Sequence, residues 1–117
     1  LKKLLIIDDE PLVRRSLQRV LVEHFQIHEA QDGREGLDKW LQLRPDVVVL
    51  DVLMPALSGP QVLQQIPAEI RSSAKVILIS AYTGEYNVDT ARDLGADLFI
   101  AKPFDDIFAI QKQILKI

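Results

Sequence analysis

Four runs of consecutive apolar residues punctuate the chain, at Leu4–Ile7, Val47–Leu50, Val76–Ile79 and Leu98–Ala101. They are rich in Val, Ile and Leu and do not alternate with polar positions, the pattern of strands covered on both faces in a parallel sheet. A fifth run, Ile27–Ala30, is interrupted by His28, which predicts a strand at a sheet edge. The segments between them carry helical period. Leu12–Phe25 places Val13, Leu17, Val20 and Leu21 on one face, with Arg14, Arg15 and Arg19 elsewhere and Pro11 where a first turn tolerates it. Glu35–Leu43 forms a second helix, entered through Asp32 and Gly33 and followed by Pro45. Ser58–Ile66 forms a third, which Pro67 breaks or restarts as a separate turn. A fourth spans about Tyr86 to Leu94 and is closed by Gly95, with a loose first turn because Gly84 and Asn87 form helix poorly. The fifth runs from Phe104 or Asp105 to the end.

Strand and helix thus alternate five times, with no internal repeat, linker or low-complexity stretch. This predicts an α/β fold, a doubly wound (βα)5 three-layer sandwich around a five-stranded parallel sheet, formed by residues 1–117 as one domain. In such folds ligands sit outside the carboxyl ends of the strands, so the residues that follow each strand are the place to look for chemistry.

The first strand ends in Asp8, Asp9 and Glu10, the third in Asp51, the fourth in Ser80, and the fifth in Lys102 and Pro103. Taken singly, each has an ordinary explanation: a helix N-cap for an Asp, a turn for Ser80, a solvated surface amine for Lys102. Solvated charges, however, have no reason to collect at one end of a sheet. Two carboxylates about 5 Å apart at an effective dielectric near 20 repel by roughly 3 kcal/mol, so three of them take up protons or bind a cation. Hard oxygen ligands with room for water suit Mg²⁺, which keeps open positions for phosphate oxygens. Lys102 then serves as a second cation for a phosphoryl group, and Ser80 as its hydrogen-bond donor. The chain has no G-x-x-x-x-G-K-[ST] and no G-x-G-x-x-G, which argues against a bound nucleotide. A carboxylate can instead receive the phosphoryl group itself, as an aspartyl phosphate. Asp51, at the end of the most apolar strand and apart from the Asp8–Asp9 pair, is the candidate.

Composition narrows the setting. The chain has 117 residues, 48% hydrophobic and 26% charged, typical of an ordinary globular domain. It contains no Cys, which excludes disulfides, thiolate metal sites and a Cys nucleophile. A net charge of −3 disfavours nucleic acid and anionic membranes as direct partners. No apolar run approaches a membrane span and no signal peptide is visible, so the expected location is cytoplasmic. The chain begins with Leu rather than Met, which points to a fragment trimmed at its start.

The same residues resemble the receiver domain of two-component response regulators, the CheY-like family, over essentially the whole chain. The matching pieces are L-L-I-I-D-D-E at Leu4–Glu10, A-x-D-G at Ala30–Gly33, and P-D-V-V-V-L-D-V-L-M-P at Pro45–Pro55 with Gly59 following. Next come I-L-I-S-A at Ile77–Ala81 and A-R-D-L-G-A-D-L-F-I-A-K-P-F at Ala91–Phe104. The resemblance implies a flavodoxin-like strand order 2-1-3-4-5 and a cis Lys102–Pro103 bond. It implies that Asp51 is the phosphoacceptor. Mg²⁺ would be held by Asp9 and Asp51 and by the backbone carbonyl of Leu53, with Asp8 acting through water. Lys102 would contact the phosphoryl group, with Ser80 and Phe99 as the switch pair. The partner would be a sensor histidine kinase or a histidine phosphotransfer protein. Output to a further domain or effector protein would run through the face of the fourth helix, fifth strand and fifth helix.

Leu53 and Tyr82, each two residues beyond a site residue, flank the site; both are bulky, and the expectation is that they hinder the water that hydrolyses an aspartyl phosphate. Phe99 lacks a hydroxyl, so it can switch only by repacking. His24 and His28 have no expected part in phosphoryl transfer. Trp40 is expected to pack or to be partly exposed on the second helix, far from Asp51. One alternative is a degenerate receiver, an unphosphorylated interaction module; the presence of Asp8, Asp9, Asp51, Ser80 and Lys102 stands against it. The domain is not expected to be an enzyme. A phosphatase with an aspartyl nucleophile ordinarily carries a second acid two residues on, where this chain has Leu53, and an acidic first loop disfavours the phosphate of a flavin.

Overall fold

The computed structural model describes residues 1–81 and 88–117, with the backbone alone at Val88. Tyr82, named above as a flanking residue, and the expected first turn of the fourth helix lie outside the described residues. The elements are β1 (Lys2–Ile7), α1 (Pro11–Leu21), β2 (Phe25–Ala30), α2 (Gly33–Leu43), β3 (Val47–Asp51), α3 (Gly59–Gln65), α4 (Ala68–Ser72), β4 (Lys75–Ala81), α5 (Val88–Asp93), β5 (Leu98–Lys102) and α6 (Ile107–Leu115). All pairings are parallel, in the order β2-β1-β3-β4-β5. The strand carrying His28 is an edge strand, as its interrupted pattern implied.

Side-chain alternation divides the core into two layers. Leu5, Ile7, Val48, Leu50, Val76 and Leu78 point to one face, where they pack with Leu37 and Trp40 of α2, Val62 and Leu63 of α3, and Ala91 of α5. Leu4, Ile6, Val47, Val49, Ile77 and Ile79 point to the other, against Leu17, Val20 and Leu21 of α1 and Ile110 and Ile114 of α6. Runs of consecutive apolar residues within these strands are therefore satisfied on both sides. Trp40 is fully buried, which settles its two readings in favour of packing.

Several boundaries differ from the sequence reading. The first helix ends at Leu21, not Phe25: Phe25 pairs with Lys2 and begins the edge strand, where its ring is buried. The second helix starts at Gly33, because the Asp32 carboxylate caps it by accepting from the Glu35 N–H at 2.8 Å. The third ends at Gln65, one residue early, and Pro67 opens a separate short helix, α4, so six helices rather than five lie among the described residues. The last helix begins at Ile107, because Asp106 caps it through the Phe108 and Ala109 N–H groups.

One glycine ties the fold to the carboxyl edge of the sheet. Gly59 donates its N–H to the Val52 carbonyl at 2.8 Å, and a Cβ there would stand 2.5 Å from the Asp51 carbonyl oxygen. Gly59→Ala must therefore push α3 away from the end of β3. The expected cost is about 1–3 kcal/mol in urea unfolding, the size of an overpacked contact.

Candidate functional site at the carboxyl edge of the sheet

Parallel pairing brings the ends of β1, β3, β4 and β5 to one edge. Register places Leu50 beside Ile7 and Leu78, Asp51 beside Ile79, and Ala81 beside Lys102. Asp8, Asp51 and Ser80 are buried, an unusual state for polar groups, while Asp9 and Glu10 are exposed. The N-cap of α1 is Glu10, which makes no side-chain capping bond. The acid pair therefore does not serve as a cap. The Asp8 carboxylate instead accepts the Glu10 N–H at 2.8 Å, and the Asp8 N–H donates to the Ala30 carbonyl at 3.1 Å.

Lys102 is not a surface lysine. Its side chain is 9% exposed, and its ammonium lies 3.3 Å from an Asp51 oxygen, 3.2 Å from an Asp8 oxygen and 2.8 Å from Glu10 Oε1. Strands 1, 3 and 5 are thus joined through one cation. Glu10 is the shortest of these contacts. It was visible in the sequence only as the third acid of Asp8-Asp9-Glu10, with nothing to mark it as a partner of Lys102. Ligand oxygens of Asp8, Asp9, Glu10 and Asp51 all lie within 4.8 Å of one another. The Lys102–Pro103 bond is cis.

One ammonium cannot neutralise this many carboxylates. Burial first, and then the Asp8 charge, push the Asp51 carboxyl up to about 7 against the opposing charge and hydrogen bond of Lys102. Burial also raises Asp8, against the opposing pull of the Glu10 N–H and Lys102. Burial pulls the Lys102 ammonium down, but the hydrogen bond to Glu10 and the charges of Asp51 and Asp8 outweigh it and hold the group above the ordinary lysine range. Four clustered carboxylates around one ammonium leave the site with surplus negative charge. That surplus, on clustered hard oxygens, fits a divalent cation such as Mg²⁺.

The other expected site residues lie on β4, on β5 and in the loop after β3. Ser80 is buried on β4 with its Oγ donating to the Ala81 carbonyl at 3.1 Å. Phe99 is partly buried and packs against the core layer that contains Ala91. Leu53 is 62% exposed in the loop after β3. A cleft of about 390 Å³ opens beside Lys102, lined by Leu12, Val13, Ala81, Pro103 and Phe104 among others.

The family model of the response regulator receiver domain matches residues 4–113. The chain belongs to this family. Among curated proteins, response regulator MprA of Mycolicibacterium vanbaalenii is 38% identical over 120 residues, covering 97% of the chain and 50% of that protein. Response regulator ArlR of Staphylococcus aureus is 34% identical over 104 residues, covering 88% and 47%. The receiver domain thus spans about half the length of these relatives. Among solved structures, CheY4 of Vibrio cholerae superposes with a TM-score of 0.87 at 24% identity, covering 99% of this chain and 98% of that one. A chain of the CheX–CheY–BeF3–Mg²⁺ complex of Borrelia burgdorferi gives 0.85 at 32% identity, covering 98% and 87%. The flavodoxin-like order expected from the resemblance is the order observed. Receiver domains are signalling domains, and their general function is that of a phosphorylation switch.

Proposed function

We propose that this receiver accepts a phosphoryl group from the phosphohistidine of a sensor kinase or phosphotransfer protein onto Asp51. The observation that carries the proposal is the convergence of the Asp51, Asp8 and Glu10 carboxylates on the Lys102 ammonium at 3.3, 3.2 and 2.8 Å. An Asp51 oxygen attacks phosphorus, the P–N bond breaks, and the electron pair leaves with the partner's imidazole. Lys102, already beside the acceptor oxygen, would follow the charge onto the transferred group. Asp9, Asp51 and the Leu53 carbonyl would hold Mg²⁺, with Asp8 acting through water; the ion would supply neutralising charge to the phosphoryl oxygens. The domain assists its own phosphorylation and dephosphorylation and turns over no separate substrate. The apolar cleft along Leu12, Val13, Pro103 and Phe104 is where the partner would seat.

Phosphorylation adds negative charge that the buried Ser80 hydroxyl would turn to meet, vacating space for Phe99. A hydrogen bond to a charged group is worth about 1.5–3 kcal/mol, whereas reversing a 1:99 equilibrium takes about 5.5. Ser80 alone is too weak, so Lys102 or an effector must contribute. The face of α5, β5 and α6, which corresponds to the expected fourth helix, fifth strand and fifth helix, would carry the signal to an output domain or effector protein. The domain would work in the cytoplasm.

The test is phosphoryl transfer from a phosphorylated histidine partner: the wild type takes up the label, and Asp51→Asn takes up none. Transfer to the variant at the wild-type rate would end the proposal. The exposed Leu53 yields a further prediction. Exchange for a polar side chain that can orient water, Leu53→Asn, should shorten the lifetime of the phosphorylated domain by about tenfold or more, a modest part of what positioned acid–base groups achieve. Autodephosphorylation followed over time measures it.

A further inference from the structure

The sequence groups Arg14 with Arg15 and Arg19 on the polar side of the first helix, but the structure separates them. Arg15 and Arg19 are exposed, whereas the Arg14 side chain is only 16% exposed and its guanidinium makes two bonds at once. Its Nη1 donates to the backbone carbonyl of Asp8 at 2.7 Å, and its Nε donates to Glu29 Oε1 at 3.1 Å. Glu29 is itself braced from α2: its backbone carbonyl accepts from Lys39 Nζ, and Lys39 pairs with Glu35 at 3.3 Å. We infer that Arg14, braced by Glu29, is a positioning residue that fixes the Asp8–Asp9 peptide and so aims both carboxylates at the cation site.

The peptide plane carries the argument. The carbonyl oxygen of Asp8 and the nitrogen of Asp9 belong to one rigid unit, so holding that oxygen sets the direction in which Asp9 leaves the strand. The other polar atoms of Asp8 are also held: its N–H by Ala30, one carboxylate oxygen by Glu10, the other by Lys102. Asp9 is exposed and depends on its backbone for aim. A surface ion pair between a helix and an edge strand would stabilise little, and it would have no need of the Asp8 carbonyl. Glu29 has a second role, because an unpaired guanidinium this close would repel a divalent cation. Lysine cannot replace Arg14, since its ammonium lacks the planar fork that reaches both acceptors.

The inference rests on the proposed Mg²⁺-assisted phosphoacceptor reading, and the test separates the two. Mg²⁺ titration by calorimetry on the metal-free domain compares the wild type with Arg14→Met, Arg14→Lys and Glu29→Gln. Outer residues that orient metal ligands are worth about 10–100-fold in affinity. Both Arg14 variants should therefore lose about tenfold or more, Arg14→Lys no less than Arg14→Met, and Glu29→Gln should lose severalfold without touching Arg14. With a small-molecule phosphodonor, the Mg²⁺ concentration for half-maximal rate should rise by the same factor. The rate at saturating Mg²⁺ should stay within about twofold, a split that mere loss of structure would not produce. Mg²⁺ affinities within about twofold of wild type would overturn the inference, as would a lower saturating rate with an unchanged Mg²⁺ requirement. Glu29→Gln keeps the test decisive if an Arg14 variant folds poorly. A wild type that binds no Mg²⁺ would overturn the phosphoacceptor reading itself.

Discussion

Asp51→Asn is expected to raise the stability of the metal-free domain at pH 8 while abolishing phosphoryl acceptance. Burial and the neighbouring Asp8 charge hold the folded Asp51 carboxyl at about 7, against 3.8 for the ordinary group. Each pH unit of such a shift is worth about 1.4 kcal/mol. Below about pH 4 both folded and unfolded chains carry the proton, and the ionisation costs nothing. Between about 4 and 7 the unfolded chain loses the proton while the folded chain keeps it, so stability falls as pH rises and levels off above 7. Asp8 is raised in the same direction and adds to the slope. Asparagine removes the Asp51 charge and also a partner of Lys102, which offsets part of the gain. The net increase at pH 8 should be on the order of 2–4 kcal/mol, shrinking toward pH 4. Urea unfolding in chelator at several pH values measures it. A variant less stable than wild type at pH 8, or a gain that grows toward acid, would contradict the charge balance described here.

Lys102→Met should act in the opposite sense on stability and in a telling sense on the cation. The methionine keeps most of the aliphatic stem but removes the ammonium from three carboxylates, of which Asp8 and Asp51 are buried. Leaving buried charge without its partner costs about 3–5 kcal/mol. The carboxyls can escape by taking up protons, so the loss should be large at pH 8 and small at pH 5. Mg²⁺ should restore much of it. The same variant should bind Mg²⁺ more tightly, by about tenfold or more, because a cation no longer competes for the same oxygens. Phosphoryl acceptance should nonetheless fall, since nothing then follows the charge onto the transferred group. Weaker Mg²⁺ binding in Lys102→Met would mean that the lysine organises the acids rather than competing for them.

The sheet and the site were legible in the sequence to different depths. β1, β3 and β4 announced themselves because Leu4–Ile7, Val47–Leu50 and Val76–Ile79 are covered on both faces and had to be apolar throughout. The boundary at Phe25 was hidden because Val22–His24 contain neither Gly nor Pro, so the apolar period of the helix ran on into the strand. Asp106 outranked Phe104 as the start of the last helix because a carboxylate that accepts two N–H groups fixes a first turn, which hydrophobicity alone does not. At the site, the strand-end rule brought Asp8, Asp51, Ser80 and Lys102 to one edge because parallel strands put their carboxyl ends together. The contacts of Glu10 with Lys102 and of Arg14 with Asp8 were not legible. They depend on where long side chains reach across 92 and 6 residues of chain, and residue type and spacing carry no record of that.

Phosphoryl acceptance by Asp51 should depend on a divalent cation. Its most direct test is the intact mass of the domain after incubation with a small-molecule phosphodonor, with and without Mg²⁺, followed by peptide mapping. One phosphoryl group should be added, confined to the peptide carrying Asp51, lost in chelator and absent from Asp51→Asn. A phosphoryl group on another residue of the wild type, or equal labelling with and without Mg²⁺, would contradict it.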